Sequence, residues 1–206
     1  MKKILAFTLI AVLCLTLAVS CKKADGDTFT GIYTHGESTY VFFDGQAVVY
    51  SDTEAKCVAA DTLEVKKEDL TAGRCAASDV SLGYLVIETV AGVKTVTGLT
   101  DEGKKQTVIV LPAIVGDIKL GAFEGSSVKA VVIAEGAKLN LSNGCFKNGG
   151  SLAVIISEGV APADLTCGKS MLDGTSGVSF YIGKAAFSTY EGHYNWGVFK
   201  DNLKAI

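Results

Sequence analysis

The side chains able to do chemistry are few, and their spacing does not assemble a reaction centre. The chain has 206 residues with 2 histidines and 6 cysteines. His35 and His193 each sit in a Gly/Glu-rich turn, with no carboxylate or nucleophile beside them at motif spacing. A Gly-x-Ser-x-Gly nucleophile turn is absent. Gly121-Ala122-Phe123-Glu124-Gly125 lacks the strand–loop–helix setting and the lysine of a phosphate loop. No Cys-x-x-Cys pair occurs, so a metal centre is not expected. The expectation is a protein with no catalytic residues, no cofactor and no metal. A net charge of -3, without a lysine or arginine cluster longer than a pair, argues against a nucleic-acid partner.

The cysteines are the remaining reactive groups, and their meaning depends on compartment. Met1-Lys2-Lys3 precedes an almost unbroken apolar run from Ile4 to Val19. That run is short for a membrane span and right for the apolar core of a secretion signal. It ends at Leu17-Ala18-Val19-Ser20-Cys21, which resembles a bacterial lipoprotein signal with a relaxed lipobox. The resemblance implies that residues 1–20 are removed, that Cys21 is acylated, and that 21–27 tether an exported fold to a membrane. Each buried methylene of such chains contributes about 0.8 kcal/mol. Plain signal cleavage near Ser20 and an uncleaved anchor are the competing readings. In an exported protein Cys57 and Cys75 are candidates for a disulfide or for free thiols. Cys145 and Cys167 fall in columns otherwise held by apolar residues and read as buried hydrophobes.

What must position any binding surface is a repeat. Four apolar runs recur: Val108-Ile109-Val110, Val131-Val132-Ile133, Val154-Ile155-Ile156 and Phe180-Tyr181-Ile182. Their last members are separated by 23, 23 and 26 residues. Phe123, Phe146 and Leu172 stand ten positions before the last three runs, preceded by Ala122, Cys145 and Met171 and, five positions back, by Ile118, Leu141 and Cys167. Such register predicts a solenoid of strand, turn and return segment, in which stacked units share a core that no single unit can build.

Ile118 to Phe123, with Val128, Val131 and Ile133, resembles the BspA-type (TpLRR class) leucine-rich repeat, in which an I-x-x-x-A-F turn precedes L-x-x-I-x-I. Phe180-Tyr181-Ile182, then Tyr190, Trp196, Phe199 and Asn202-Leu203-Lys204-Ala205-Ile206, is similar to the terminal cap of that family. The resemblance covers roughly residues 100–206. It implies a cell-surface attachment protein, with host or bacterial surface proteins as partners.

The expected architecture is mainly β: a small β-rich region over 28–100 capping the first turn, and a leucine-rich-repeat solenoid over 101–206 with a cap from about 184. Within 28–100, Thr28–Tyr33, Tyr40–Phe43 and Ala47–Tyr50 read as strands with a turn at Asp44-Gly45. Tyr84–Val90 and Lys94–Thr97 read as a second pair around Gly92. If Val108, Val110, Val131, Ile133, Val154, Ile156, Phe180 and Ile182 face the core, alternation puts Ile109, Val132, Ile155 and Tyr181 on the outer sheet face. That would be an apolar strip for a partner protein, a hydrophobic ligand or self-association, unless the N-terminal region covers it. The clustered aromatics Tyr181, Phe187, Tyr190, Tyr194, Trp196 and Phe199 read as the core of the cap. The protein is expected to be exported and lipid-anchored, in the periplasm or at the cell surface.

Overall fold

The computed structural model describes residues 29–73, 80–157 and 160–206. The expected signal peptide, Cys21 and the tether all lie outside the described residues, as does Cys75. The described chain is mainly β, in three five-stranded sheets. The first sheet is antiparallel and comprises β1 (Gly31–His35), β2 (Ser38–Phe43), β3 (Gln46–Tyr50), β4 (Ala55–Ala59) and β5 (Thr71–Ala72), in the order β4-β3-β2-β1-β5. The hairpin β6 (Leu85–Val90) and β7 (Val93–Leu99) begins the third sheet. The β2–β3 and β6–β7 hairpins each turn on two residues of positive φ: Asp44 (43°) with Gly45 (75°), and Ala91 (49°) with Gly92 (84°). That is the geometry that matches the twist of the flanking strands.

From there the chain alternates between two parallel arrays. β8 (Val108–Leu111) enters the middle sheet and β9 (Asp117–Ile118) the third. β10 (Ala130–Ile133) returns to the middle and β11 (Leu139–Leu141) to the third. β12 (Val154–Ser157) and β13 (Leu165–Cys167) repeat the step, and β14 (Ser179–Ile182) again joins the middle sheet. Helix α1 (Lys184–Glu191) and a 3-10 segment, Trp196–Asn202, lead to β15 (Leu203–Ala205), which pairs parallel to β14. The return segments anticipated between strands are therefore short strands themselves. The strand β4 has no counterpart in the sequence reading.

Register in the middle sheet is one residue away from the expectation at two strands. Leu111, Ile133, Ser157 and Ile182 stand side by side, as do Ile109, Val131, Ile155 and Phe180. Because side chains alternate with period two, a one-residue slip exchanges the faces of a strand. Ser157 closes β12 in place of an apolar residue, and its hydroxyl lies 3.5 Å from the Tyr190 hydroxyl. An alignment on the last β-branched residue of each run therefore misplaces β8 and β12.

One face of the middle sheet, with Ile109, Leu111, Val131, Ile133, Ile155, Phe180 and Ile182, packs against Val96, Ile118, Leu139, Leu141 and Leu165 of the third sheet. Phe123 and Phe146 pack between them with tilted rings, centroids 5.1 Å apart; Leu172 packs half-buried against the same core, and Met171 before it is fully buried. The stacking reaches the backbone at the turns. Gly121 N–H donates to the Gly144 carbonyl and Gly144 N–H to the Ser170 carbonyl, both at 2.9 Å. Both glycines have φ near +70°, and a Cβ on Gly144 would collide with Leu120 Cδ1.

The other face of the middle sheet is also apolar: Val108, Val110, Ala130, Val132, Val154, Ile156 and Tyr181. The first sheet lies on it through Val41, Phe43, Val48 and Tyr50. Residues 28–100, expected to cap a first turn as one region, divide between two sheets: the β6–β7 hairpin extends the third sheet at its end and the first sheet stands apart from it. The first sheet covers a face instead, because a face of valine and isoleucine left in water would forgo about 25 cal/mol for every Å² buried.

At the C-terminal end Tyr190, Trp196 and Phe199 close over Phe180. Trp196 Nε1 donates to the Leu165 carbonyl at 2.9 Å and the Tyr190 hydroxyl to the Val160 carbonyl at 2.7 Å, so the buried polar tips are satisfied. Tyr181 belongs to the opposite face and Tyr194 is exposed, so neither shares this core.

The layering is tested by one substitution chemistry at two depths. Val132→Lys places a charge between the first and middle sheets and is expected to lower stability by more than about 3 kcal/mol. Ile114→Lys alters a side chain that is 58% exposed and is expected to change stability by no more than about 0.5 kcal/mol. Urea denaturation of the two variants reads the difference.

Candidate functional site

The apolar strip expected on the sheet face is not open. Ile109 and Ile155 point into the core shared with the third sheet. Val132 and Tyr181 face the first sheet. All four are buried. The four-residue runs VIVL, AVVI and VIIS hold apolar residues at both parities of at least three positions, the pattern of strands covered on both faces. That continuity was the signal that no strip is left for solvent.

Tyr181 does reach a rim. Its hydroxyl donates to Asp44 Oδ2 at 2.6 Å, and Lys204 Nζ donates to the same oxygen at 2.6 Å. Lys204 Nζ also lies 3.3 Å from the Tyr181 oxygen and 5.3 Å from its ring centroid. Asp44 sits in the β2–β3 turn and Lys204 on the last strand, so this clasp joins sequence positions 160 residues apart. The Lys204 ammonium and then the Tyr181 hydroxyl hold the Asp44 carboxyl below its usual range, while Asp44 raises Lys204. Burial, reinforced by Asp44, pushes the Tyr181 phenol up to about 12. The arrangement keeps tyrosine protonated and aspartate ionised. It is a joint between layers, and neither surface concavity described below includes it.

Among the described residues the cysteines hold no activated thiol. Cys57 is a half-buried free thiol, donating to Gln46 Oε1 at 3.6 Å, and burial raises its pKa; its suggested partner, Cys75, lies outside the described residues. Cys145 and Cys167 are buried free thiols, as their apolar columns imply. Burial pushes Cys167 up to about 12 and Cys145 further, which keeps both from acting as nucleophiles. Among the described residues no three His, Cys, Asp or Glu side chains converge on a metal position. His35 Nδ1 lies 3.2 Å from the Asp69 carbonyl, at a concavity of about 450 Å³ that also holds Tyr40, Lys56 and Glu64. His193 Nδ1 accepts from the Asn195 amide at 3.4 Å in the turn before Trp196.

The face left for contact is the outer side of the third sheet. Asp117, Asn140 and Thr166 occupy successive strands there. Asn140 Nδ2 donates to Asp117 Oδ1 at 3.3 Å and Thr166 Oγ1 to Asn140 Oδ1 at 3.0 Å. Thr95 stands beside Asp117 in register on β7 but is buried, its hydroxyl donating to the Val93 carbonyl. Toward the hairpin the row opens into a concavity of about 480 Å³, lined by Glu88, Val90, Val93, Thr95, Lys119 and Leu120 among others. Val90, Val93 and Leu120 are exposed. A flat array of amide, hydroxyl and carboxylate groups beside an apolar lip suits a protein surface better than a reacting small molecule.

The sequence carried a sign of this row. Asp117, Asn140 and Thr166 are separated by 23 and 26 residues, the spacing of the repeat, and each adjoins the inward column of Ile118, Leu141 and Cys167. A polar residue between two buried ones in Leu139-Asn140-Leu141 and Leu165-Thr166-Cys167 is the alternation of a strand with one wet face.

The clasp has a pH signature. Its folded carboxyl titrates below the unfolded value of about 3.9, so its contribution is complete above that pH and is lost as pH falls through the folded pKa. Half of the Asp44 side chain is exposed, which limits the contribution to about 1 kcal/mol. Asp44→Asn is expected to reduce stability at pH 7 by that amount and to flatten the decline between about pH 5 and 2, measured by denaturation across pH. Comparison with protein-family models, with curated protein sequences and with solved structures finds no match to this chain.

Proposed function

We propose that this chain is an exported, lipid-anchored protein of the BspA-type leucine-rich-repeat kind, acting by binding another protein at the cell surface or in the periplasm. The observation that carries the repeat reading is the register of the two parallel arrays. Val131 lies between Ile109 and Ile155, and Asn140 between Asp117 and Thr166, so like positions of successive units stand together. Stacking of this kind is what a solenoid needs to close its core. The terminal aromatic cluster around Trp196 supports the cap. The basic, apolar and small-residue order ending at Cys21 supports export and acylation.

The binding face in this reading is the outer side of the third sheet. It presents side chains on rigid strands, which position contacts better than loops do. A partner of bacterial or host origin meets a row of hydrogen-bonding groups flanked by Val90, Val93 and Leu120. The expected apolar strip is divided between two cores, with Val132 and Tyr181 under the first sheet and Ile109 and Ile155 toward the third, and it lends no support to the alternative reading of a carrier or scaffold.

Two measurements test this. Cys21→Ala is expected to move the protein from the detergent phase to the aqueous phase; unchanged partitioning would rule out the anchor. Asn140→Arg together with Thr166→Arg is expected to leave the thermal transition within a few degrees of the parent while weakening capture of the protein's surface partners at least about tenfold. Undiminished capture by that double variant would move the binding face elsewhere.

A further inference from the structure

The geometry points to the free edge of β6 as an acceptor for an extended peptide of a partner protein, one carrying a lysine or arginine between two apolar residues at alternate positions. The inference rests on the interaction reading above and narrows it to one strand. β6 ends the third sheet, and its hydrogen bonds run to β7 on one side; among the described residues none reaches its other edge. Two other ends of the parallel arrays, β8 and β13, are treated differently. At β8 the buried Ser81 hydroxyl accepts the Val110 amide at 2.9 Å. At β13 Trp196 Nε1 takes the Leu165 carbonyl and Cys167 Sγ donates to the Asn195 carbonyl. An unpaired strand edge is a template for another strand, and main-chain pairing with side-chain pockets is an established mode of peptide capture.

The side chains say which strand would fit. Leu85 and Ile87 turn into the core. Val86, Glu88 and Val90 alternate with them on the wet face, where Val86 is 39% and Val90 50% exposed. Glu88 has no ion pair among the described residues, and with Val90 it forms the lip of the 480 Å³ concavity. A second copy of this chain fits poorly. The antiparallel register that sets Val86 opposite Val90 also sets Glu88 opposite Glu88, and like charges in direct opposition destabilise a strand pair. A cation at the central position turns that repulsion into attraction and keeps both apolar pairs, and the chain's net charge of -3 favours the same sign of partner.

The test uses the purified mature protein and two blocked peptides, Thr-Val-Thr-Lys-Thr-Val-Thr and its counterpart with central Glu, in fluorescence anisotropy. The lysine peptide is expected to bind at least about tenfold more tightly than the glutamate peptide. Glu88→Lys is expected to reverse that order without shifting the thermal transition. Backbone N-methylation of alternate peptide residues is expected to remove binding in one of its two phases only. Equal binding of the two peptides, no binding of either, or an order unchanged by Glu88→Lys would overturn the proposal. So would a doubled mass of the parent protein in sedimentation that Glu88→Lys abolishes, since the occupant would then be a second copy. Capture of surface partners that survives Glu88→Lys and excess peptide, yet is lost with Asn140→Arg and Thr166→Arg, would sink the edge while leaving the binding face standing.

Discussion

The middle sheet is apolar on both faces, and the rest of the molecule answers to that. Its strands are short, four residues each from β8 to β14, and cannot persist alone. They are held by parallel neighbours in the sheet and by a cover on each side. The third sheet provides one cover, built from the same repeating stretch of chain. The first sheet provides the other, built from an unrelated antiparallel meander. Remove either, and a contiguous surface of valine, isoleucine and tyrosine meets water.

The two covers differ because their own outer faces differ. The first sheet carries aromatic residues on its far side. Phe29 stacks on Tyr33 at 4.9 Å and meets Phe42 at a tilt with centroids 4.7 Å apart, with Leu63 and Leu70 packed nearby, so that side is covered by its own connecting segments. The third sheet has Asp117, Asn140 and Thr166 outward, and these polar groups bond one another. The proposed binding surface is therefore where the layering stops. Polar tips inside the stack are placed with equal economy: Tyr181 ends on Asp44, Tyr190 on Val160 and Trp196 on Leu165. Each is an aromatic body in the core with its polar atom at a partner.

Much of this was legible from residue type and spacing. The pairing of Phe123 with Phe146 and the turn glycines Gly121 and Gly144 follow from recurrence alone, since stacked units must repeat what they stack, whereas the aromatic end around Trp196 follows from the need to cover the last unit. The hairpins at Asp44-Gly45 and Ala91-Gly92 follow from the few residues that accept positive φ, with Ala91 the exception that Gly92 accompanies. The face of each middle strand was not legible by counting. In Val108-Ile109-Val110-Leu111 every residue is apolar, so period two has nothing to register, and Ser157 hides the end of β12.

By itself the sequence determined that short apolar runs recur from Val108 onward and that Phe123 and Phe146 belong to the buried core, because these depend only on local order and recurrence. Only the tertiary structure decided what covers each face of the middle sheet. That choice turns on whether Val41, Phe43, Val48 and Tyr50 lie against Val110, Val132 and Ile156, contacts between stretches far apart in the chain whose burial leaves no periodic trace on either partner. The same packing sends Tyr181 to Asp44 rather than to the aromatic end, and leaves β6 at the margin of a sheet.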